Sequence, residues 1–285
     1  MTIYVVKPGD SLYSIALENG VSMSQIMLDN QLPDPARLAV GQTLVLQYPQ
    51  QTHIVQPGET LMSISAKYGL SIRQIQRNNP ILGGGYQIWP GQTLVITFQQ
   101  EKEGSLSING YAYPFVNRAL LRSTMPYSTT VTPFTYGFTP QGDLVLLEDE
   151  PIINIALEGG VAPIMHLSTL TDSGNFSSAM ASLILNNMAL QNRLINNIET
   201  VIREKGYRGL DVDFEFIPAK DARPYAAFIT RLRERFNPQG LIVLTALAPK
   251  TSADQPGLLY EGHNYALLGA AANELLLMTY EWGYT

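Results

Sequence analysis

Residues 209–216 read Gly-Leu-Asp-Val-Asp-Phe-Glu-Phe, with three carboxylates at every second position of an otherwise apolar run. A β-strand turns alternate side chains to opposite faces. Leu210, Val212, Phe214 and Phe216 then share one face, and Asp211, Asp213 and Glu215 the other, with neighbouring acids roughly 6–7 Å apart. A helical run ending at Lys205-Gly206-Tyr207 precedes the segment, and an amphipathic run over residues 221–236 follows it. A strand between two helices is a βαβ unit, whose parallel strand is buried on both faces. In a barrel such acids point to the C-terminal mouth. Desolvated like charges push carboxyl pKa values up and apart, so that one group holds a proton another has lost. Two other readings fit the alternation: an edge strand with a wet acidic face, and a carboxylate site for Mg²⁺ or Ca²⁺. With three His and no Cys, the chain supplies a transition-metal site poorly.

A repeat organises the first third. Val6-Lys7-Pro8-Gly9-Asp10-Ser11-Leu12 returns 49 residues later as Val55-Gln56-Pro57-Gly58-Glu59-Thr60-Leu61. At that offset Ile15 matches Ile64, Gly20 matches Gly69, Ile26 matches Ile75 and Asn30 matches Asn79. Each unit reads as a strand, a Pro-Gly turn, a helix capped by Asp10-Ser11 or Glu59-Thr60, a second helix and a closing strand. Residues 1–48 and 51–97 are expected to be these two modules, with a polar linker over 98–104.

From residue 105 onward strands and helices alternate. Strands are expected over 105–113, 130–138, 161–167, 209–216, 241–247 and 275–280. Helices are expected near 148–157, over a long stretch at 177–205, and at 265–272. A complete barrel has eight strands in about 250 residues, so residues 105–285 read as strands one to six of an incomplete barrel. That is expected to leave an exposed edge and weak solubility beyond the linker. The fold class is thus two small βααβ modules followed by an α/β (TIM) barrel that stops early. A net charge of −6 argues against nucleic acid and against an anionic membrane surface. No apolar run is long enough to span a membrane. The N-terminus lacks the basic and apolar regions of a signal peptide.

Residues 208–215 resemble the D-x-x-D-x-D-x-E motif of family 18 glycoside hydrolases, borne on the fourth strand of a (β/α)₈ barrel. Asp211, Asp213 and Glu215 match, and Arg208 replaces the first acid. Met278-Thr279-Tyr280-Glu281 is similar to the family's sixth-strand M-x-Y-D, with Glu for Asp. Both repeats resemble LysM modules, which bind N-acetylglucosamine-containing glycans. Their combination with this barrel resembles the spore cortex-lytic group of endospore formers.

The resemblance implies a β-N-acetylglucosaminidase acting on cortex peptidoglycan during germination, located in the spore coat or cortex and needing neither cofactor nor metal. By it, Glu215 is the acid and base, Asp213 orients the substrate acetamido group, Asp211 shares a proton with Asp213, and Tyr280 holds the acetamido oxygen. Met278, Glu281, Trp282, Tyr111, Tyr113 and Tyr136 are candidate sugar contacts. In the first module the implied glycan groove comprises Gly9, Asp10, Ser11, Leu12, Asn30 and Gln31. In the second it comprises Gly58, Glu59, Thr60, Leu61, Asn79, Pro80 and Ile81. For Leu12 and Leu61 the helical spacing alone points to the core instead. Two alternatives are a chitinase and a non-catalytic glycan-binding coat protein.

Overall fold

The computed structural model describes residues 1–99, 104–170 and 175–279. Two compact units emerge, one of residues 1–107 with 118–127, the other of residues 108–117 with 128–285.

In the first unit the repeat is visible element by element. β1 (Thr2–Val5), α1 (Leu12–Asn19), α2 (Met23–Asp29) and β2 (Thr43–Leu46) form one module, with β1 antiparallel to β2. β3 (Pro49–Ile54), α3 (Leu61–Tyr68), α4 (Ile72–Asn78) and β4 (Thr93–Phe98) form the second, again antiparallel. Ser11 and Thr60 cap α1 and α3 through reciprocal boxes with Ser14 and Ser63. Gly20 and Gly69, both at φ 65°, end these helices in the left-handed conformation. Leu12, Ile15, Ile26, Leu44 and Leu46 make one core, and Leu61, Ile64, Ile75, Leu94 and Ile96 the other. A short helix, α5 (Arg118–Thr124), lies with this unit.

Asn79 ties the second module together. Its amide donates to the Ile75 and Val95 carbonyls at 2.8 Å each and accepts from the Val95 N–H at 2.8 Å. Asn30 makes the same set of bonds to Ile26 and Val45. Asn79→Ala leaves the buried Val95 amide and carbonyl without that partner, so it is expected to cost roughly 2–4 kcal/mol. Urea unfolding of the full chain checks this.

In the second unit β5 (Asn109–Ala112), β6 (Thr130–Pro133), the hairpin β7 (Gly137–Phe138) and β8 (Leu144–Val145), and α6 (Glu150–Glu158) come first. β9 (Ala162–Pro163), β10 (Met165–Ser168), α7 (Ser178–Leu185), α8 (Met188–Lys205) and β11 (Gly209–Asp213) follow. The unit continues through α9 (Ala222–Phe236), β12 (Ile242–Leu247), α10 (Leu258–Glu261), α11 (Tyr265–Ala271) and β13 (Glu274–Leu277). β5, β6 and β9 pair in parallel in that order, and so do β10, β11, β12 and β13. β9 and β10 are two halves of one strand, since Ile164 N–H donates to Val131 O and Tyr136 bridges Leu167. Apart from the β7–β8 hairpin between β6 and β9, neighbouring parallel strands follow one another in the chain and are mostly separated by helices, which is the wall of a TIM-type barrel. Among the described residues no helix is long and apolar enough to cross a membrane.

Several elements depart from the expected bounds. The helical stretch at 177–205 is two helices, because Asn187 accepts the Ala189 and Leu190 amides and starts α8 anew. The strand expected over 130–138 stops at Pro133, and its continuation turns into the β7–β8 hairpin. The acidic strand ends at Asp213 rather than at residue 216, and Phe216 takes a positive φ of 54°. Glu215 therefore projects from the segment after the strand.

Candidate active site

The apolar face of β11 faces the helices. Leu210, Val212 and Phe214 are fully buried with residues of α8 and α9, and the Phe214 ring stacks on Tyr225 and Phe228. Alternation sends Asp211 and Asp213 to the opposite face, where both are also buried, at 1% and 5% exposure. Glu215 is half-buried.

Asp211 Oδ2 accepts a 2.5 Å hydrogen bond from the Tyr111 hydroxyl. Its Oδ1 is buried without a hydrogen-bond partner among the described residues. Burial pushes its pKa up to about 6, and the Tyr111 hydrogen bond pulls the other way. On the neighbouring strand His166 pairs in register with Asp211. Its Nε2 lies 3.6 Å from Asp213 Oδ2, and its Nδ1 lies 2.6 Å from Thr135 Oγ1. Burial pushes the His166 pKa down to about 3, so the imidazole is neutral. Its ring packs 4.7 Å from Phe134 and 5.5 Å from Tyr111. The site thus holds one carboxyl kept protonated to mildly acidic pH, a second beside a neutral imidazole, and a third nearer solvent. Two buried acids and a wetter one beyond them can move protons in sequence at a bound substrate. Among the described residues no group of three or more His, Asp or Glu is placed to hold a metal ion.

The expected aromatic contacts separate. Tyr111 is a hydrogen-bond donor to Asp211 before it is a stacking surface. Tyr113 is half exposed and stacks on Phe115 at 5.1 Å, with its edge on Phe134 at 5.2 Å. Tyr136 cannot touch a sugar: it is fully buried, and its hydroxyl donates to Asp149 at 2.5 Å. Tyr207 and Lys205 donate to the same buried carboxylate. Met278 is buried against Ala246 and Ala248, so it packs the interior. Tyr280, Glu281 and Trp282 lie outside the described residues. His166, Thr135, Phe134 and Phe115 were not anticipated. The available signal was a lone His in the apolar run 161–167, on the strand expected to neighbour the acids.

In the LysM-like modules most expected groove residues serve the fold. Leu12 and Leu61 are core residues, and Asn30 and Asn79 bind the closing strands. Ser11 and Thr60 spend their hydroxyls on helix caps. Asp10 Oδ2 accepts from the Lys7 amide and the Tyr4 hydroxyl, at 2.7 and 2.9 Å. Glu59 Oε2 accepts from the Gln56 amide and contacts His53 Nε2. These hydrogen bonds hold both carboxyls below the usual range. Gly9, Gly58, Gln31 and Ile81 are exposed and Pro80 is half-buried. Those five remain available to a ligand.

Residues 4–47 and 53–97 match the LysM domain, and residues 160–283 match the glycosyl hydrolases family 18. The chain is 36% identical to the cortical fragment-lytic enzyme of Bacillus subtilis, over 100% of this chain and 67% of that protein. The crystal structure of the Bacillus megaterium spore cortex-lytic enzyme SleL is 31% identical with a TM-score of 0.77. That match covers 99% of this chain and 67% of the other. A chitinase from Chromobacterium violaceum, 21% identical, shares the barrel fold at a TM-score of 0.56 over 62% of this chain and 57% of its own. The chain spans about two thirds of the length of the curated relatives it matches.

Proposed function

The chain belongs to the glycosyl hydrolases of family 18 that carry LysM domains, and we propose that it is a glycosidase cleaving N-acetylglucosaminyl bonds in spore cortex peptidoglycan. The observation that carries this reading is the pair of buried carboxyls, Asp211 and Asp213, at the C-terminal end of a parallel strand with half-buried Glu215 just beyond it.

In this reading Glu215 protonates the glycosidic oxygen and later accepts a proton from water. The substrate's own acetamido carbonyl attacks the anomeric carbon, so no protein nucleophile is needed. Asp213 orients the acetamido N–H. Asp211, held by Tyr111, keeps the cluster from carrying two adjacent negative charges. Tyr280 is assigned to the acetamido oxygen on its motif alone. Tyr113 and Phe115 offer exposed ring faces to a sugar. The two LysM modules hold insoluble glycan through the turns at Gly9 and Gly58 and through Gln31, Pro80 and Ile81. Two weak modules on one chain gain from effective concentration on a polymer.

Digestion of cortical fragments with the full chain tests the assignment. Mass spectrometry of the reduced products is expected to show new N-acetylglucosamine reducing ends. New muramic acid ends, or no new ends, would contradict it.

A further inference from the structure

The ladder between β11 and β12 runs in register to Val212 opposite Thr245. Carried on by two residues, it sets Phe214 opposite Leu247, and the next parallel rung would join the Ala248 N–H to the Phe214 carbonyl. The imidazole of His263 stands in that place. The Ala248 N–H donates to His263 Nδ1 at 2.9 Å, and His263 Nε2 lies 2.9 Å from the Phe214 carbonyl oxygen. An amide N–H only donates and a carbonyl only accepts, so the ring is neutral with its hydrogen on Nε2. The side chain is fully buried. Burial, the largest influence on it, keeps its pKa below the usual histidine value. The loop bearing it lies hard against the strand exit. A Cβ on Gly262 would fall 2.3 Å from the Cβ and carbonyl oxygen of Ile217.

A direct rung would hold nitrogen and oxygen about 2.9 Å apart. Here they are separated by two hydrogen bonds and the width of a ring, so β11 and β12 part at their C-terminal ends. Phe214 sits between Asp213 and Glu215, and its ring is fixed on the far side by Tyr225 and Phe228. We propose that His263 is a positioning residue: it replaces a ladder rung, spreads the two strands at the barrel mouth and fixes the backbone from which Glu215 projects. The inference rests on Glu215 being the acid for its kinetic consequence, but not for its geometry.

The test uses the full chain. Long-range ¹H–¹⁵N spectra of histidine-labelled protein should show His263 neutral and protonated on Nε2 at pH 7. The other tautomer, or an imidazolium, would overturn the proposal. His263→Gln keeps an acceptor and a donor at the spacing of the two ring nitrogens, whereas the shorter amide of His263→Asn reaches only Ala248. On cortical-fragment glycan His263→Asn should lower kcat about 10–100-fold with KM within about twofold, the scale of a small misplacement of a reacting group. His263→Gln should recover most of that loss. An unchanged kcat in His263→Asn, or a His263→Gln variant as poor as it, counts against the proposal. If the unsubstituted chain releases no product, the glycosidase reading has failed, and the ¹³C resonance of the Glu215 carboxyl decides this one. It should move in His263→Asn and hold in His263→Gln; the same resonance in all three proteins would overturn it.

Discussion

Glu215→Gln is expected to leave the full chain folded and bound to cortex while lowering glycan turnover by about 10²–10⁴-fold, the usual worth of general acid–base catalysis. The substitution changes one oxygen to an amide at a half-buried position beyond the strand end. It removes the proton donor with little change of volume, so thermal unfolding should move by no more than a few degrees. Sedimentation with insoluble cortex reads the LysM modules and should be unaltered. Reducing-end release reads the barrel and should collapse. Near-full turnover would remove Glu215 from the mechanism.

Asp211→Asn has its largest expected effect on the pH dependence of stability. The Asp211 pKa is about 6 in the folded chain against 3.8 for the free side chain, mainly because burial disfavours its anion. The folded state therefore binds more protons than the unfolded state between those values, and stability falls as pH rises through that window. A difference of that size corresponds to roughly 3 kcal/mol, present below about pH 4 and lost above about pH 6. His166 acts in the opposite sense. Its pKa is depressed to about 3, so the unfolded chain takes up the proton first, and stability rises with pH from about 3 to 6.5. The two slopes overlap, and the difference between wild type and Asp211→Asn isolates the carboxyl. Urea unfolding from pH 4 to 7 should show wild type losing about 2–3 kcal/mol relative to the variant. Parallel curves would mean that Asp211 ionises freely in the folded chain.

Much of this architecture was legible from local chemistry. The period-two run at 209–216 placed Asp211 and Asp213 on one buried face, and the helices on either side fixed the strand as parallel. The repeat and its Ser and Thr caps gave both modules, because capping acts over three residues and is written in the sequence. The groove assignment rests on the same local signals. Asp10, Ser11 and their counterparts recur because the turn and cap require them, so the repeat by itself does not separate a binding role from a structural one.

Contacts distant in sequence were not legible. Tyr136 sits where a strand-end aromatic could face substrate, yet Asp149 and Tyr207 draw its hydroxyl into a buried network. His166 meets the acids across a strand pair 45 residues away, and His263 reaches Phe214 across 49. Nothing in the periodicity of either segment announces the partner. The early end of β11 was equally hidden, since alternation continued through Phe216 while the backbone turned to positive φ there.

The stereochemistry of hydrolysis tests the central claim most directly. ¹H NMR of the first product released by the full chain, recorded before mutarotation, reports the anomeric configuration of the new reducing end. Glu215 as acid and base with the substrate acetamido as nucleophile predicts retention, so the β-anomer should appear first and the α-anomer only on equilibration. An α-anomer appearing first would mean direct attack by water, which needs a second carboxylate base on the opposite face of the sugar and contradicts the account.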